Sequence, residues 1–275
     1  MHLSYAFFYK FLASCSFHVQ YGVTSCSSLY KQKILLNVYH YLKLINYKHF
    51  SDSEIRMKTL LFDLDGTLLN SLEDIAFAAN AVLTAHGYPN HSLTEYRQLV
   101  GNGFYRLISK ALPPQIANTI TENTLSGLVT EARTWYKNNM CRATQPYAGI
   151  IDALGILSDA GHMLSVLSNK PHELTVALVE HFFPHIPFTM VLGAKEGAPL
   201  KPDPTVPREM LHAMGGTANQ AFYIGDSDVD ILTARNAGIT SIGVAWGFRG
   251  IEELRAANAD HIIAAPAELI TVVEK

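Results

Sequence analysis

From Thr59 onward the chain alternates short apolar runs with helix-period stretches, and that rhythm admits few folds. The runs carry almost no polar alternate positions, so they read as strands covered on both faces. Strands of that kind belong to parallel sheets whose crossovers are helices. They lie at Leu60 to Phe62, His162 to Leu167, Phe188 to Leu192, Ala221 to Ile224 and Thr240 to Val244. Helical stretches near 150–159, 171–183, 204–214 and 229–237 separate the later runs, and Gly161 and Gly238 are placed to stop two of them. The expected fold class is α/β: a Rossmann-like parallel sheet with covering helices.

One interval departs from the rhythm. Asp65 and His162 are separated by residues 66–161, too many for a single crossover. Within that interval Leu72, Ile75, Ala76, Ala79, Val82 and Leu83 recur at helix spacing, as do Leu125, Leu128, Val129, Ala132 and Tyr136. The economical reading is a helical-bundle domain inserted at 71–146, with linkers beside Asn70 and Pro146 that form a natural hinge. The main domain is then 57–70 together with 147–275.

Residues 1–56 differ from the rest. They hold seven of the thirteen tyrosines, six Lys/Arg against two Asp/Glu, and no clean period. Lys10 interrupts the apolar stretch of a signal peptide, although Leu12-Ala13-Ser14-Cys15 looks like a lipoprotein cleavage box. The expectation is a poorly ordered or non-native amino-terminal extension. Without it the net charge moves from -3 to -7, which argues against a nucleic-acid partner. At 48% hydrophobic and 16% charged residues the composition is that of a globular protein. No stretch reaches the roughly 18 apolar residues of a membrane span. Cys15, Cys26 and Cys141 form neither a zinc motif nor a disulfide framework, and the expected location is cytoplasmic. The oligomeric state is open.

The strand ends carry the chemistry. Phe62-Asp63-Leu64-Asp65-Gly66-Thr67 places two carboxylates on one side of a strand terminus, where open α/β sheets gather ligands. Crowded carboxylates repel, and a divalent cation or a raised pKa relieves them; a polar turn capped by Asp is the bland alternative. Ser168-Asn169-Lys170 ends the second run before Pro171, at what reads as a helix start, so Ser168 is either an anion ligand or an N-cap. Lys201 stands between Leu200 and Pro202-Asp203-Pro204 as a directed cation or a solvated loop lysine. Gly225-Asp226-Ser227-Asp228-Val229-Asp230 repeats the strand, glycine and carboxylate design, and such clusters supply hard oxygen ligands. The twelve histidines show no metal-binding spacing.

These four elements, in this order, resemble the haloacid dehalogenase (HAD) superfamily of phosphotransferases from Met57 to about Val272. The resemblance implies a HAD-like core with an inserted cap, and a phosphoaspartyl mechanism in which Asp63 attacks phosphorus and Asp65 serves as acid and base. It implies that Thr67, Ser168, Asn169 and Lys201 hold the phosphoryl oxygens. Mg²⁺ would be bound by Asp63, Asp226 and the Asp65 carbonyl, with Asp230 orienting bound water or Lys201. True dehalogenases of the family lack an acid/base Asp at the Asp65 position, so phosphate chemistry is expected.

In the insertion, Leu99-Val100-Gly101-Asn102-Gly103-Phe104-Tyr105-Arg106 resembles the cap loop of phosphoglycolate phosphatases, as does Asn70-Ser71-Leu72-Glu73-Asp74-Ile75, where the family commonly has Asp at the Asn70 position. This resemblance implies a small phosphorylated acid, 2-phosphoglycolate, with Asn102 and Arg106 touching its carboxylate. A helix turn with a surface arginine is the alternative. Other expectations are a sugar-phosphate phosphatase, a pyrophosphatase, a phosphoglucomutase-like enzyme, or a non-catalytic binding module.

Overall fold

The computed structural model describes residues 57–275; the extension expected at 1–56, with Cys15 and Cys26, lies outside the described residues. From β1 (Thr59–Phe62) and the short β2 (Leu69–Asn70), the chain enters helices α1 (Leu72–Ala85), α2 (Leu93–Leu99), α3 (Gly103–Ala111), α4 (Pro114–Ala117) and α5 (Glu122–Asn139). It returns through β3 (Gln145–Pro146) and α6 (Ile150–Asp159) to β4 (Met163–Pro171), α7 (His172–Phe182), β5 (Met190–Ala194) and α8 (Thr205–Ala213). β6 (Ala221–Gly225), α9 (Asp228–Ala237), β7 (Thr240–Val244), α10 (Ile251–Ala256), β8 (His261–Ile263) and α11 (Glu268–Val273) complete it.

The main sheet runs β5-β4-β1-β6-β7-β8 and every pairing in it is parallel. This is the α/β architecture expected from the rhythm of the sequence. Side chains of β1 alternate between faces as the period of two requires. Leu60 and Phe62 join one buried cluster with Leu154, Leu157 and Leu178, while Leu61 joins another with Met210, Leu211 and Ala234. All three β1 residues are fully buried, each worth roughly 1.5–3 kcal/mol against exposure.

The inserted helices gather an apolar cluster in which Ile75, Leu83, Tyr96, Ile108, Leu128, Ala132 and Tyr136 meet, and Leu174 and Phe248 from outside the insertion join it. Local signals start these helices. Ser92 and Glu95 make a capping box at α2, and Thr121 accepts the Thr124 N–H at α5. The antiparallel β2–β3 ribbon, Leu69 opposite Pro146 and Asn70 opposite Gln145, carries the chain out and back. Asp74 on α1 locks the return: its buried carboxylate accepts from the Ala143 and Thr144 N–H groups and the Thr144 hydroxyl.

Two boundaries differ from the sequence reading. β4 continues through Ser168, Asn169 and Lys170 to Pro171, so α7 begins at His172 and Ser168 is not its N-cap. Polar residues that read as an exit from the sheet stay in it because they are buried and partnered. β5 also lies two residues later than the apolar run suggested, and β8, only three residues long, was not anticipated.

Candidate active site

Strands β1, β4 and β6 are neighbours, and their carboxyl ends bring Asp63, Asp65, Ser168, Asn169, Lys170 and Asp226 onto one cavity. Asp63 extends the ladder by donating its N–H to the Ile224 carbonyl at 2.9 Å. Gly66, at φ +87°, then turns the chain sharply, and a Cβ there would lie 2.4 Å from Asp226 Oδ2. Only glycine lets the two acidic segments come this close.

Each carboxylate of the opening pair has its own lysine. Lys201 Nζ is 2.8 Å from Asp63 Oδ1 and 2.8 Å from Asp230 Oδ1, all three groups being largely shielded from water. Asp230 is otherwise occupied by the Ser227 N–H and hydroxyl, so it serves as a fixed anchor for Lys201. Asn169 positions the same lysine: its Oδ1 accepts the Lys201 N–H at 2.9 Å, and its Nδ2 donates to the Lys201 carbonyl at 3.1 Å. Lys170 Nζ holds both oxygens of Asp65, at 2.7 and 2.9 Å, while the Ser71 hydroxyl donates to Asp65 Oδ1.

The electrostatics are short of positive charge. Burial pushes the Asp63 carboxyl up to about 6, with Lys201 pulling it down and Asp230 and Asp65 pushing it up. Burial, then the charges of Asp230 and Asp63, raise Asp226 well above the ordinary carboxylate range; the Phe248 N–H and Arg249 only partly oppose this. Burial disfavours charged Lys201, but Asp230 and Asp63 more than offset it and keep it protonated.

Carboxylate oxygens of Asp63, Asp226 and Asp230 all lie within 4.8 Å of one another. Lys201 is the partner of Asp63 Oδ1, and the buried Thr67 hydroxyl has no hydrogen-bond partner among the described residues. A hard divalent cation coordinated by oxygen fits this donor set, since it supplies the missing charge where the carboxylates converge. With Asp230 committed to Lys201 and Ser227, Asp63 and Asp226 are the side chains placed to bind it, one oxygen of each being engaged, by Lys201 and by the Phe248 N–H respectively.

The inserted helices lie over the cavity. Asn169 Nδ2 contacts the Gly101 carbonyl at 3.3 Å, Arg249 donates to Gln98 Oε1 and the Val100 carbonyl at 2.8 Å each, and Arg133 pairs with Glu173 at 2.9 Å. About 40 Å³ of the cavity is open to the centres of water-sized groups, room for several waters. From the cap, Gly101, Gly103, Phe104 and Leu107 line it. Neither expected cap residue is in the lining: Asn102, between the two glycines, is half-buried, and Arg106 is exposed on α3. Lys170, Ser71, Tyr136 and Arg249 were missed as candidates. Ser71 has its partner Asp65 only six residues away, whereas Lys170, Tyr136 and Arg249 make contacts distant in sequence.

The haloacid dehalogenase-like hydrolase family pattern matches residues 60–244. A phosphoglycolate phosphatase of Vibrio cholerae is 34% identical over 222 residues, covering 79% of this chain and 97% of that protein. Its Vibrio parahaemolyticus counterpart is 32% identical over 221 residues, covering 79% and 96%. A crystal structure from Lactobacillus delbrueckii subsp. bulgaricus, provisionally named phosphoglycolate phosphatase, superposes with a TM-score of 0.74 at 28% identity, covering 80% of this chain and 99% of that one. The chain therefore belongs to the haloacid dehalogenase-like hydrolase family, as a phosphatase.

Proposed function

We propose that the protein is a Mg²⁺-dependent phosphomonoester hydrolase that works through a phosphoaspartate and acts on 2-phosphoglycolate. The observation that carries the chemistry is the junction of β1, β4 and β6, where a nucleophile, a second carboxylate, a buried lysine and a charge-deficient acidic cluster meet. The names of the relatives support the substrate.

In this reading an Asp63 oxygen attacks phosphorus as the phosphorus–oxygen bond to the leaving group breaks, and Asp65 gives that oxygen its proton. Water then attacks the acyl phosphate, its proton passes to Asp65, and inorganic phosphate leaves as the Asp63 carboxylate is restored. Thr67 and Ser168 donate hydroxyl hydrogen bonds to the phosphoryl oxygens, Lys201 neutralises them, and Asp230 keeps Lys201 aimed. The Asn169 side chain is committed to Lys201 and Gly101, so its contact with phosphate falls to its main chain. When bound at Asp63, Asp226 and the Asp65 carbonyl, Mg²⁺ supplies positive charge to the transferred group.

The inserted helices lie over the site and contact the core through Asn169 and Arg249, so in this reading they open to admit substrate and close to exclude water. The cap-side contact to the substrate carboxylate comes from the Gly101–Gly103 loop and Arg249, with Arg106 standing outside. Steady-state kinetics on a panel of small phosphomonoesters, with and without Mg²⁺, test the reading. Metal-dependent hydrolysis with the highest kcat/KM on 2-phosphoglycolate is expected; an inert 2-phosphoglycolate would defeat the substrate, and an inert panel would defeat the chemistry.

A further inference from the structure

Lys170 is the buried charge that this mechanism leaves without a task. It lies on β4, within the cavity lining, and is almost wholly shielded from water. Its partners come from both sides of the hinge. Asp65, at the core strand end, takes two charge-assisted hydrogen bonds from it, and the ring of Tyr136, on cap helix α5, stacks over its ammonium at 4.5 Å. Tyr136 is buried and meets the Lys170 ammonium with both its ring and its hydroxyl. Its ring also packs at 5.4 Å against Phe104, which follows the Gly101–Gly103 loop and lines the cavity. A contact path thus runs from the cap loop through Phe104, Tyr136 and Lys170 to the Asp65 carboxylate.

Two physical points give that path a consequence. A buried ammonium needs its partners, because an unpaired charge in a dry site is strongly disfavoured. The two oxygens of Asp65 are held by Lys170 together with Ser71, the residue immediately before α1. A cap in place keeps Lys170 dry and gives it an aromatic face, so its grip on Asp65 is tightest when the leaving group is enclosed.

We propose that Lys170 is a positioning residue that fixes the Asp65 carboxylate for proton delivery to the leaving group, and that Tyr136 makes this alignment depend on cap closure. The proposal rests on the acid/base role given to Asp65 above. Lys170 touches neither phosphorus nor the leaving oxygen in it; it acts through Asp65.

Leaving-group dependence provides the test. An aliphatic alkoxide departs poorly without a proton, whereas p-nitrophenolate needs none, so misaligning Asp65 harms aliphatic esters selectively. Intact Lys170→Met, Tyr136→Leu and Asp65→Asn proteins, with wild type, are assayed for kcat/KM on p-nitrophenyl phosphate and on whichever aliphatic phosphomonoester wild type hydrolyses best. Lys170→Met is expected to lose at least about tenfold more on the aliphatic ester than on p-nitrophenyl phosphate, with Tyr136→Leu following the same pattern more weakly. Adding Lys170→Met to Asp65→Asn should leave the ratio of the two substrates unchanged, because both act on one step. Equal losses on both substrates, or an additive double variant, would overturn the proposal in favour of a purely structural lysine. If Lys170→Met fails to fold, Tyr136→Leu decides by the same ratio. A wild type inactive on both esters would instead defeat the phosphatase reading, so the two failures are separable.

Discussion

Replacing Lys201 with Met keeps most of the side-chain volume and removes a cation that stands 2.8 Å from both Asp63 and Asp230. Breaking a buried ion pair from one side costs about 3–5 kcal/mol, because the remaining charge stays desolvated. Here two carboxylates are stranded. Asp63 is already raised from 3.8 to about 6, which at 1.36 kcal/mol per pKa unit is about 3 kcal/mol of native-state strain in its charged form. The sign follows from the direction of the shift. A raised carboxyl binds its proton more tightly when folded, so its contribution is fully present below pH 3.8 and lost as pH rises through about 6. Without Lys201 the carboxylates are pushed up further, so the penalty grows between pH 5 and pH 8. Urea denaturation of metal-free wild type and Lys201→Met at both pH values measures it. The expected loss is about 3–5 kcal/mol at pH 8, on the order of 10 °C in Tm, and clearly smaller at pH 5. Millimolar Mg²⁺ should recover part of it by placing positive charge on the same oxygens. A loss under about 1 kcal/mol, or one independent of pH, would refute the picture of Lys201 as the charge centre of the cluster.

Three further outcomes are expected. Mg²⁺ should raise the Tm of wild type more at pH 8 than at pH 5, because Asp63, at about 6, and the raised Asp226 hold protons that compete with the cation; equal shifts in differential scanning fluorimetry would contradict this. Asp74→Ala leaves the Ala143 and Thr144 donors unpaired in a buried hinge and should cost about 3 kcal/mol or more in urea denaturation, with a loss under about 1 kcal/mol showing that water replaces the carboxylate. Arg249→Ala removes the core cation at the cap loop and should lower kcat/KM about tenfold or more on 2-phosphoglycolate, and less on a phosphomonoester lacking a carboxylate; equal losses would leave Arg249 as a cap latch alone.

What the sequence displayed, and what it hid, divides along the range of the contacts. Asp63, Asp65 and Asp226 were legible because each follows an apolar run and a strand terminus in a parallel sheet points to one edge. Lys201 was legible through the prolines that stiffen its loop. Lys170 was not, because a polar Ser-Asn-Lys triplet reads as the chain leaving the sheet, whereas β4 carries it onward under the cap and buries its charge. Tyr136 was seen as one apolar position on a helix face; that its ring meets a core lysine depends on how the cap is seated. Arg106 follows a glycine-flanked amide in a loop that does reach the cavity, but the helical phase of α3 turns Phe104 and Leu107 inward and leaves Arg106 in solvent.

The central claim is that Asp63 becomes covalently phosphorylated during turnover. Acid-quenching the enzyme within one turnover of a phosphomonoester in Mg²⁺, reducing the trapped acyl phosphate with borohydride, and mapping the peptides reports on that bond directly. Conversion of Asp63 to homoserine, absent in Asp63→Asn and absent without substrate, is the predicted result. Full turnover in Asp63→Asn, or a phosphoryl group trapped on any other residue, would contradict it.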